Sequence, residues 1–389
     1  MKRIFEDTAT AFAVKSDTAL ERAYFLFKLI SKEPLVKLGT AVTNFALKAH
    51  LPVERLIRAT VFDHFCGGVT EIDCEPIMKV MHEKNVFSVL DYSVEGKKEE
   101  AYFDLVQQKI ESLIVFANTK KYVPFVVFKP TALGRLALYE KIGSEVSLSE
   151  SETQEWSKVK NRFNAICALA SQYNTPLLID GEESWMQDAA DALVCEMMKK
   201  YNKENVLVYN TLQAYRWDRM SYLKSLHEYA EAHDFKIGIK VVRGAYMEKE
   251  WARAKALDYP NPICKDKAAT DDNFNAVVQF MMAHLNRCSI FLGTHNEAST
   301  YLLMEAMQAN KITKNDPRIW FGQLYGMSDH ISYNLGALGY KVAKYLPFGP
   351  VRDVMPYLMR RAEENTSVAG QTNRELALLE KERKRRKIQ

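Results

Sequence analysis

The hydrophobic pattern of the chain changes near residue 86. From there on, short apolar runs rich in β-branched residues alternate with longer stretches whose apolar residues recur every three or four positions. Runs that are apolar on both faces and separated by helices are typical of a parallel sheet. We predict eight strands, at Val86–Tyr92, Pro124–Phe128, Pro176–Asp180, Val206–Tyr209, Ile237–Val242, Ile290–Gly293, Ile319–Leu324 and Lys341–Leu346. The matching helices are predicted at 98–118, 152–173, 185–202, 212–233, 273–287, 297–310, 328–338 and 351–365.

Eight strand–helix pairs in succession indicate an α/β fold of the (β/α)8 TIM-barrel type, which we assign to residues 84–368. A doubly wound open sheet is the alternative. Against that alternative, no GxGxxG motif follows an early strand and the chain carries no P-loop motif.

The segments on either side of the barrel have different patterns. Residues 1–83 are predicted to form an N-terminal helical arm, with helices at Ala19–Ile30, Leu35–Ala49, Val53–His64 and Glu71–Lys84. Residues 369–389 form a charged C-terminal tail. We expect this tail to fray as a solubilising end, with contact to anionic lipid or nucleic acid as the alternative.

Composition and charge narrow the class of protein. Among 389 residues, 47% are hydrophobic and 26% charged, an ordinary globular balance, and no apolar run approaches the ~18–20 residues of a membrane span. The net charge is +4, and Lys381–Lys387 holds six basic residues and one glutamate, so the rest is close to neutral. The body of the chain resembles no nucleic-acid-binding module. Six scattered cysteines without a CxxC pair indicate free thiols in a reducing compartment, and no histidine pair predicts a metal site.

Polar residues cluster where the predicted strands end. Seven of the eight ends carry them, at Lys129-Pro130-Thr131, Asp180–Glu183, Asn210–Gln213, Arg243–Tyr246, Thr294–Asn296, Gln323–Gly326 and Tyr345–Gly349. Each residue alone is more often a loop or cap residue than a functional one. The carboxyl ends of parallel barrel strands meet at one rim, so together they predict a polar pocket there. Its donors outnumber its carboxylates, which suits a nucleotide cofactor and an anionic substrate.

A second candidate feature is the run Tyr357–Asn365, which has two adjacent arginines. On a helix, Tyr357, Arg360, Arg361 and Glu364 share a face. Guanidinium groups present paired N–H donors that match a carboxylate. A solvated, salt-bridged helix surface is the alternative interpretation.

Five motifs together resemble the proline dehydrogenase family, namely Val127–Gly134, Leu178–Glu183, Lys240–Tyr246, Thr294–Asn296 and Tyr357–Asn365. Asp63–Gly68 resembles the segment that precedes the barrel in the family's eukaryotic-type members. The resemblance runs from about residue 60 to 368 and indicates a monofunctional chain without an aldehyde dehydrogenase half.

This resemblance implies a distorted (β/α)8 barrel with FAD at its carboxyl rim and the last helix over the mouth. It implies oxidation of L-proline to Δ1-pyrroline-5-carboxylate, the first step of proline catabolism to glutamate. The hydride passes from proline C5 to flavin N5, and the electrons pass on to a quinone.

Site roles carry over by motif position. The implied catalytic residues are Lys129, Asp180, Tyr345, Arg360 and Arg361. Substrate binding is implied for Lys129, Tyr246, Tyr345, Tyr357, Arg360, Arg361 and Glu364, with the arginines on the carboxylate and the tyrosines around the ring. Flavin binding is implied for Gln213, Lys240, Arg243, Gly244, Ala245, His295 and Asn296. Lys240 stands where the bifunctional bacterial branch has arginine.

Two other functions remain open from the residues. One is hydroxyproline dehydrogenase, whose members resemble this chain less because they carry a smaller residue at the position of Tyr345. The other is a redox-inactive barrel acting as a membrane-associated scaffold. The acidic N-terminus lacks a signal core and transit-peptide composition, which favours the cytoplasm, with peripheral contact at the inner membrane face; a eukaryotic source would favour the mitochondrion.

Overall fold

The computed structural model describes residues 3–32, 34, 39, 54–93, 99–367 and 369–388. Side chains at 56, 59 and 362–371 lie outside the description. Apart from Gly39, the helix predicted over Leu35–Ala49 also falls outside it.

Eight parallel strands close into a barrel in chain order, which confirms the predicted fold class. The strands are β1 (Val86–Tyr92), β2 (Phe125–Phe128), β3 (Leu177–Ile179), β4 (Val208–Gln213), β5 (Ile237–Val242), β6 (Cys288–Gly293), β7 (Ile319–Leu324) and β8 (Val342–Phe348). Most of their residues are buried, as expected for strands covered on both faces.

Helices precede, separate and follow the strands. Those before β1 are α1 (Thr8–Ala11), α2 (Asp17–Ile30), α3 (Glu54–Ile57), which continues through a π-helical turn (Arg58–Phe62) into α4 (Asp63–Phe65), and α5 (Glu75–His82). Those between strands are α6 (Glu100–Asn118), α7 (Leu136–Gly143), α8 (Glu150–Tyr173), α9 (Ser184–Tyr201), α10 (Arg219–Ala232), α11 (Met247–Leu257), α12 (Lys267–Ala283), α13 (Glu297–Ala309) and α14 (Asp329–Ala337). After β8 come α15 (Val351–Ser367) and α16 (Ala369–Arg386).

The contacts divide the chain into two compact units. The central unit is residues 96–321, and the terminal unit joins residues 1–95 with 322–389. Aromatic packing supports the central unit: the ring of Phe125 makes edge-on contacts with Tyr209, Phe291 and Trp320 at centroid distances of 5.1–5.6 Å. Edge-to-face pairs of this kind stabilise beyond the area that they bury.

The C-terminal tail is a packed helix, so the expectation of a fraying end is wrong. Leu378 and Leu379 of α16 are buried in a cluster with Phe12, Leu20 and Phe27 of the arm. Two of its basic side chains are also paired, because Arg383 binds Glu21 and Arg386 binds Asp17 and Glu382. The burial of two leucines stabilises the helical C-terminal segment, and the charge count on which the prediction relied does not include this contribution.

Three charges lie together where the arm meets α14, and two of them, Asp329 and Lys344, are buried. Lys15 Nζ lies 3.1 Å from Asp329 Oδ2, and Lys344 Nζ lies 2.8 Å from Asp329 Oδ1. Lys344 also donates to the carbonyl oxygen of Met327 at 2.7 Å. A buried charge is stable only when paired and hydrogen-bonded, so this cluster fixes the arm to the start of α14.

Helix α15 packs against the arm. Its buried residues Val354, Met355, Tyr357 and Leu358 belong to one apolar cluster with residues of α2, the π-helical turn and α4. The helix predicted over 351–365 therefore forms, and the arm supplies its apolar support.

Candidate functional site

Asp180 is the centre of a charged group in the central unit. It follows β3, and its backbone N–H donates to the carbonyl oxygen of Phe128, which joins the carboxyl ends of β2 and β3. Lys240 Nζ donates to Asp180 Oδ1, and Lys129 Nζ lies 3.6 Å from Asp180 Oδ2. The structure therefore brings together three residues to which the sequence assigned roles.

The electrostatics of this group favour an ionised Asp180. Burial alone would raise the pKa of Asp180, but the charges of Lys240 and Lys129 outweigh burial and hold the pKa below its usual value. Two ammonium groups then face one carboxylate. The group has a net positive charge, which suits an anionic ligand.

Gln213, the last residue of β4, is fixed by the loop after β3. Its Nε2 donates to the carbonyl oxygen of Glu182 at 2.6 Å. Glu182 also accepts hydrogen bonds from Thr131, and neither residue was assigned a role from the sequence. Both stood within the polar strand ends, but nothing in their spacing showed that they meet.

Arg243 is held by three protein acceptors. Nε donates to Asp271 Oδ1 at 2.8 Å, Nη1 to Thr294 Oγ1 at 2.9 Å and Nη2 to Ser299 Oγ at 3.0 Å. Nη2 also lies 2.7 Å from Asp271 Oδ1, so most of the five guanidinium N–H groups face protein acceptors. The guanidinium is thus fixed between the ends of β5 and β6 before any ligand binds.

Gly244 occupies a position that other residues would strain. Its φ is +131°, and a Cβ there would lie 2.4 Å from the ring of Tyr215. Ala245 follows with its side chain exposed, and Tyr246 directly precedes α11. Glycine is therefore required here for packing against the protein itself.

Asn296 acts as a helix cap. Its Oδ1 accepts a hydrogen bond from the backbone N–H of Ser299 at 3.0 Å, at the start of α13. This is the local role that asparagine commonly has before a helix. His295, one residue earlier, is half-buried.

The remaining predicted site residues lie in the terminal unit. Tyr345 is a buried residue of β8, and Tyr357 is buried on α15. The guanidinium carbon of Arg361 lies 5.4 Å from the centre of the Tyr357 ring, a cation–π contact between residues one helical turn apart. Arg360 and Arg361 are half-buried, so the interpretation as a fully solvated helix surface does not apply to them. The Glu364 side chain lies outside the described residues.

The donor set of the central unit fits an anionic cofactor. Amide, ammonium and guanidinium donors from Gln213, Lys240 and Arg243 lie on or directly after the adjacent strands β4 and β5. The carboxylates that contact them, Asp180 and Asp271, are already paired with basic side chains. Phosphate and ring carbonyl oxygens are acceptors that such donors bind.

Within the part of the chain that the structure describes, no helix has the length and apolarity to cross a bilayer.

Two of the known proteins with similar sequences match at least 90% of the chain. The carbapenem antibiotics biosynthesis protein CarD of Pectobacterium carotovorum subsp. carotovorum is 35% identical over 356 residues, covering 90% of this chain and 92% of that protein. Proline dehydrogenase 1, mitochondrial, of Dictyostelium discoideum is 30% identical over 428 residues, covering 98% and 74%. The human protein of the same name is 35% identical over 234 residues, covering 59% and 39%.

Solved structures share the fold. Proline utilization A from Bdellovibrio bacteriovorus, inactivated by N-propargylglycine, matches with a TM-score of 0.72 at 19% identity. The match covers 92% of this chain and 38% of that structure, so the chain spans well under half of its length.

The family model for proline dehydrogenase matches residues 75–374, which include all eight strands and α15. The predicted family is thereby confirmed, and the chain belongs to the proline dehydrogenase family of enzymes.

Proposed function

We propose that this protein oxidises L-proline to Δ1-pyrroline-5-carboxylate. The reaction removes a hydride from C5 and a proton from the ring nitrogen, leaving a C=N bond. Membership of the proline dehydrogenase family supports the reaction class. The observation that carries the proposal beyond the family is the group formed by Lys129, Asp180 and Lys240, which unites residues of separate motifs.

Substrate binding is proposed to depend on charge. Arg360 and Arg361 bind the proline carboxylate, Lys129 assists, and Glu364 pairs with one arginine. A carboxylate held at one end of a small ring fixes which carbon faces the electron acceptor. Tyr246, Tyr345 and Tyr357 pack around the ring and exclude water. Support comes from the cation–π contact of Arg361 with Tyr357, which limits the orientations of that guanidinium.

Asp180 is proposed to tune the substrate site. Its ionised carboxylate pairs with the ammonium groups of Lys129 and Lys240 and orders them, so they need little rearrangement when an anion arrives. Preorganised ammonium groups of this kind attract an anion more strongly than the same groups do in water.

FAD is the proposed cofactor, and when bound it supplies the hydride acceptor. Gln213, Lys240, Arg243, Gly244, Ala245, His295 and Asn296 are the proposed binding residues. The hydrogen bonds of Gln213 and Arg243 support this, because they fix both donors in the protein alone. Gly244 and Asn296 contribute by shaping the backbone.

A quinone is the proposed final acceptor of the electrons. Because quinones of respiratory chains lie in membranes, we propose a peripheral contact with the inner membrane face. Several relatives are named as mitochondrial enzymes. For this chain we propose a cytoplasmic location, or a mitochondrial one if its source is eukaryotic.

The test uses the purified protein loaded with FAD. L-Proline should bleach the flavin absorbance, and a soluble quinone should restore it. A colourless protein that cannot be loaded with FAD would instead favour the scaffold function.

Hydroxyproline is the competing substrate. Tyr345 is bulky and buried, which leaves less room for a hydroxyl group on the proline ring. We expect kcat/KM for L-proline to exceed that for trans-4-hydroxy-L-proline. The reverse order would assign the protein to hydroxyproline oxidation.

A further inference from the structure

Glu182 is a buried carboxylate that is not among the residues proposed to bind proline or the flavin. It lies three residues after β3 and is 5% exposed. Its Oε2 accepts a hydrogen bond from the backbone N–H of Thr131 at 2.9 Å, and its Oε1 accepts one from the Thr131 hydroxyl at 2.6 Å. The two oxygens thus bind one residue of the loop after β2.

The backbone of Glu182 makes two further connections. Its N–H donates to Gln187 Oε1 at 2.9 Å, and its carbonyl oxygen accepts from Gln213 Nε2 at 2.6 Å. One residue therefore joins the loops after β2 and β3 to α9 and to the end of β4.

The two loops that Glu182 joins also contain Lys129 and Asp180, which are called the charged pair here. Lys129 lies two residues before Thr131, and Asp180 lies two residues before Glu182. Pro130 separates Lys129 from Thr131 and begins a short 3-10 turn, and the Tyr139 hydroxyl donates to its carbonyl oxygen at 2.8 Å. Proline has a fixed φ, so a displacement of Thr131 is passed on to Lys129.

The geometry of the charged pair depends on the backbone. Lys129 pairs with Asp180 across the ends of β2 and β3, with Nζ 3.6 Å from Oδ2. The backbone of the loop after β2 sets where the Lys129 side chain starts. The position of this loop therefore determines how the ammonium group meets the carboxylate.

We propose that Glu182 is a positioning residue that clamps the Thr131 loop and so holds Lys129 against Asp180 for binding of the substrate carboxylate. This inference rests on the proposed oxidation of proline. Burial first, and then the charge of Glu183, raises the pKa of Glu182 to about 7, against the opposing hydrogen bonds of Thr131 and the charge of Lys129. A neutral Glu182 keeps both contacts, because the Thr131 hydroxyl both donates and accepts.

A glutamine side chain at position 182 can also keep both contacts with Thr131, so Glu182→Gln is a conservative variant. Glu182→Gln accepts from the Thr131 N–H through its oxygen and donates to the Thr131 hydroxyl through its nitrogen. Glu182→Ala removes both contacts. Glu183→Gln is the matched control, since Glu183 is an adjacent buried carboxylate whose Oε1 binds Lys249 at 2.6 Å.

The experiment compares these variants as FAD-loaded proteins. Two quantities are measured: the KM and kcat for proline, and the dissociation constant of a proline analogue with oxygen in place of the ring nitrogen, by calorimetry. We expect Glu182→Ala to raise the KM and the dissociation constant at least tenfold, with kcat changed less than threefold. Glu182→Gln should stay within threefold and Glu183→Gln within twofold.

Other results would overturn the proposal. A Glu182→Ala protein with KM and analogue affinity within twofold of the parent shows that the clamp does not act on the substrate. A Glu182→Gln protein as impaired as Glu182→Ala also contradicts it. If Glu182→Ala fails to fold, Thr131→Val removes only the hydroxyl contact and should raise KM at least threefold, and an unchanged KM refutes the clamp. A parent protein whose flavin is not reduced by proline would refute the proposed function itself, and this inference with it.

Discussion

The carboxylate of Asp180 contacts one lysine that follows β2 and one that lies within β5. Lys129 follows β2, Asp180 follows β3 and Lys240 lies on β5. The motifs predicted that each has a role, but not that both lysines share one partner. Such contacts depend on side-chain directions across the sheet, which a single sequence does not specify. The Glu182–Thr131 contact escaped prediction for the same reason.

Removing the Asp180 charge should destabilise the fold and weaken catalysis. Asp180→Asn leaves two partly buried ammonium groups beside a neutral amide. We expect a loss of about 3 kcal/mol in the free energy of unfolding, measured in urea, and a lower kcat/KM for proline. Asp234→Asn is the control, because Asp234 is 98% exposed and its pair with Arg287 is a surface contact. Equal effects of the two variants would refute the special role of Asp180.

Arg361 offers a direct test of carboxylate binding. Arg361→Met keeps much of the side-chain length but removes the charge, and a charge-assisted hydrogen bond contributes roughly 1.5–3 kcal/mol. The KM for proline should rise at least tenfold while FAD stays bound, as measured by steady-state kinetics and flavin absorbance. Arg352→Met, on the same helix and paired with Glu54, should leave KM within twofold. An unchanged KM in Arg361→Met would reject the assignment.

Among the secondary-structure elements, strands made mainly of apolar residues were predicted with more accurate bounds than a strand that contains several polar residues. The predicted bounds of β1, β5 and β7 are those observed. Strand β4 was predicted at Val206–Tyr209 but runs over Val208–Gln213, because its polar residues find buried partners. The Asn210 amide donates to Asp191, and the Thr211 hydroxyl donates to the carbonyl oxygen of Ile179.

Helix α16 was missed because its charges concealed its apolar face. Leu378 and Leu379 are buried against the arm, while Arg383 stacks on Tyr24 and pairs with Glu21. A run of basic residues does not by itself predict a disordered tail, because its acidic partners can lie hundreds of positions away in the chain.

Packing of α16 should contribute measurably to stability. Leu379→Ala removes a buried side chain and should lower the free energy of unfolding by about 2–4 kcal/mol. Leu29→Ala on α2 is the control, because Leu29 is 39% exposed and its loss should cost under about 1 kcal/mol. Urea unfolding of both variants tests this, and equal midpoints would show that α16 is not packed as described.

For the whole molecule, the part of the chain that matches the family model differs from the part in which the two chain ends pack together. The family model covers residues 75–374, while α2 and most of the packed part of α16 lie outside it and contact each other. The barrel could be predicted because eight repeated units reinforce one pattern. The packing of the two chain ends against each other could not be predicted, because it depends on a few contacts between segments that are far apart in the sequence.

Buried ionisable groups give the molecule a testable pH dependence. The pKa of Glu182 is raised to about 7 from 4.5, so between these values the folded protein binds a proton that the unfolded chain has lost. Its contribution to stability therefore falls as the pH rises through this window. The Glu182→Gln variant should gain about 2.5 kcal/mol relative to the parent between pH 5 and pH 8, as measured by urea unfolding. A constant difference would show that Glu182 titrates normally.

Oxidation of L-proline by this protein is tested most directly by the visible spectrum of the FAD-loaded protein during anaerobic addition of L-proline. We predict loss of the flavin absorbance with proline and its return on adding a soluble quinone. A flavin that dithionite reduces but proline leaves oxidised would show that the protein does not oxidise proline.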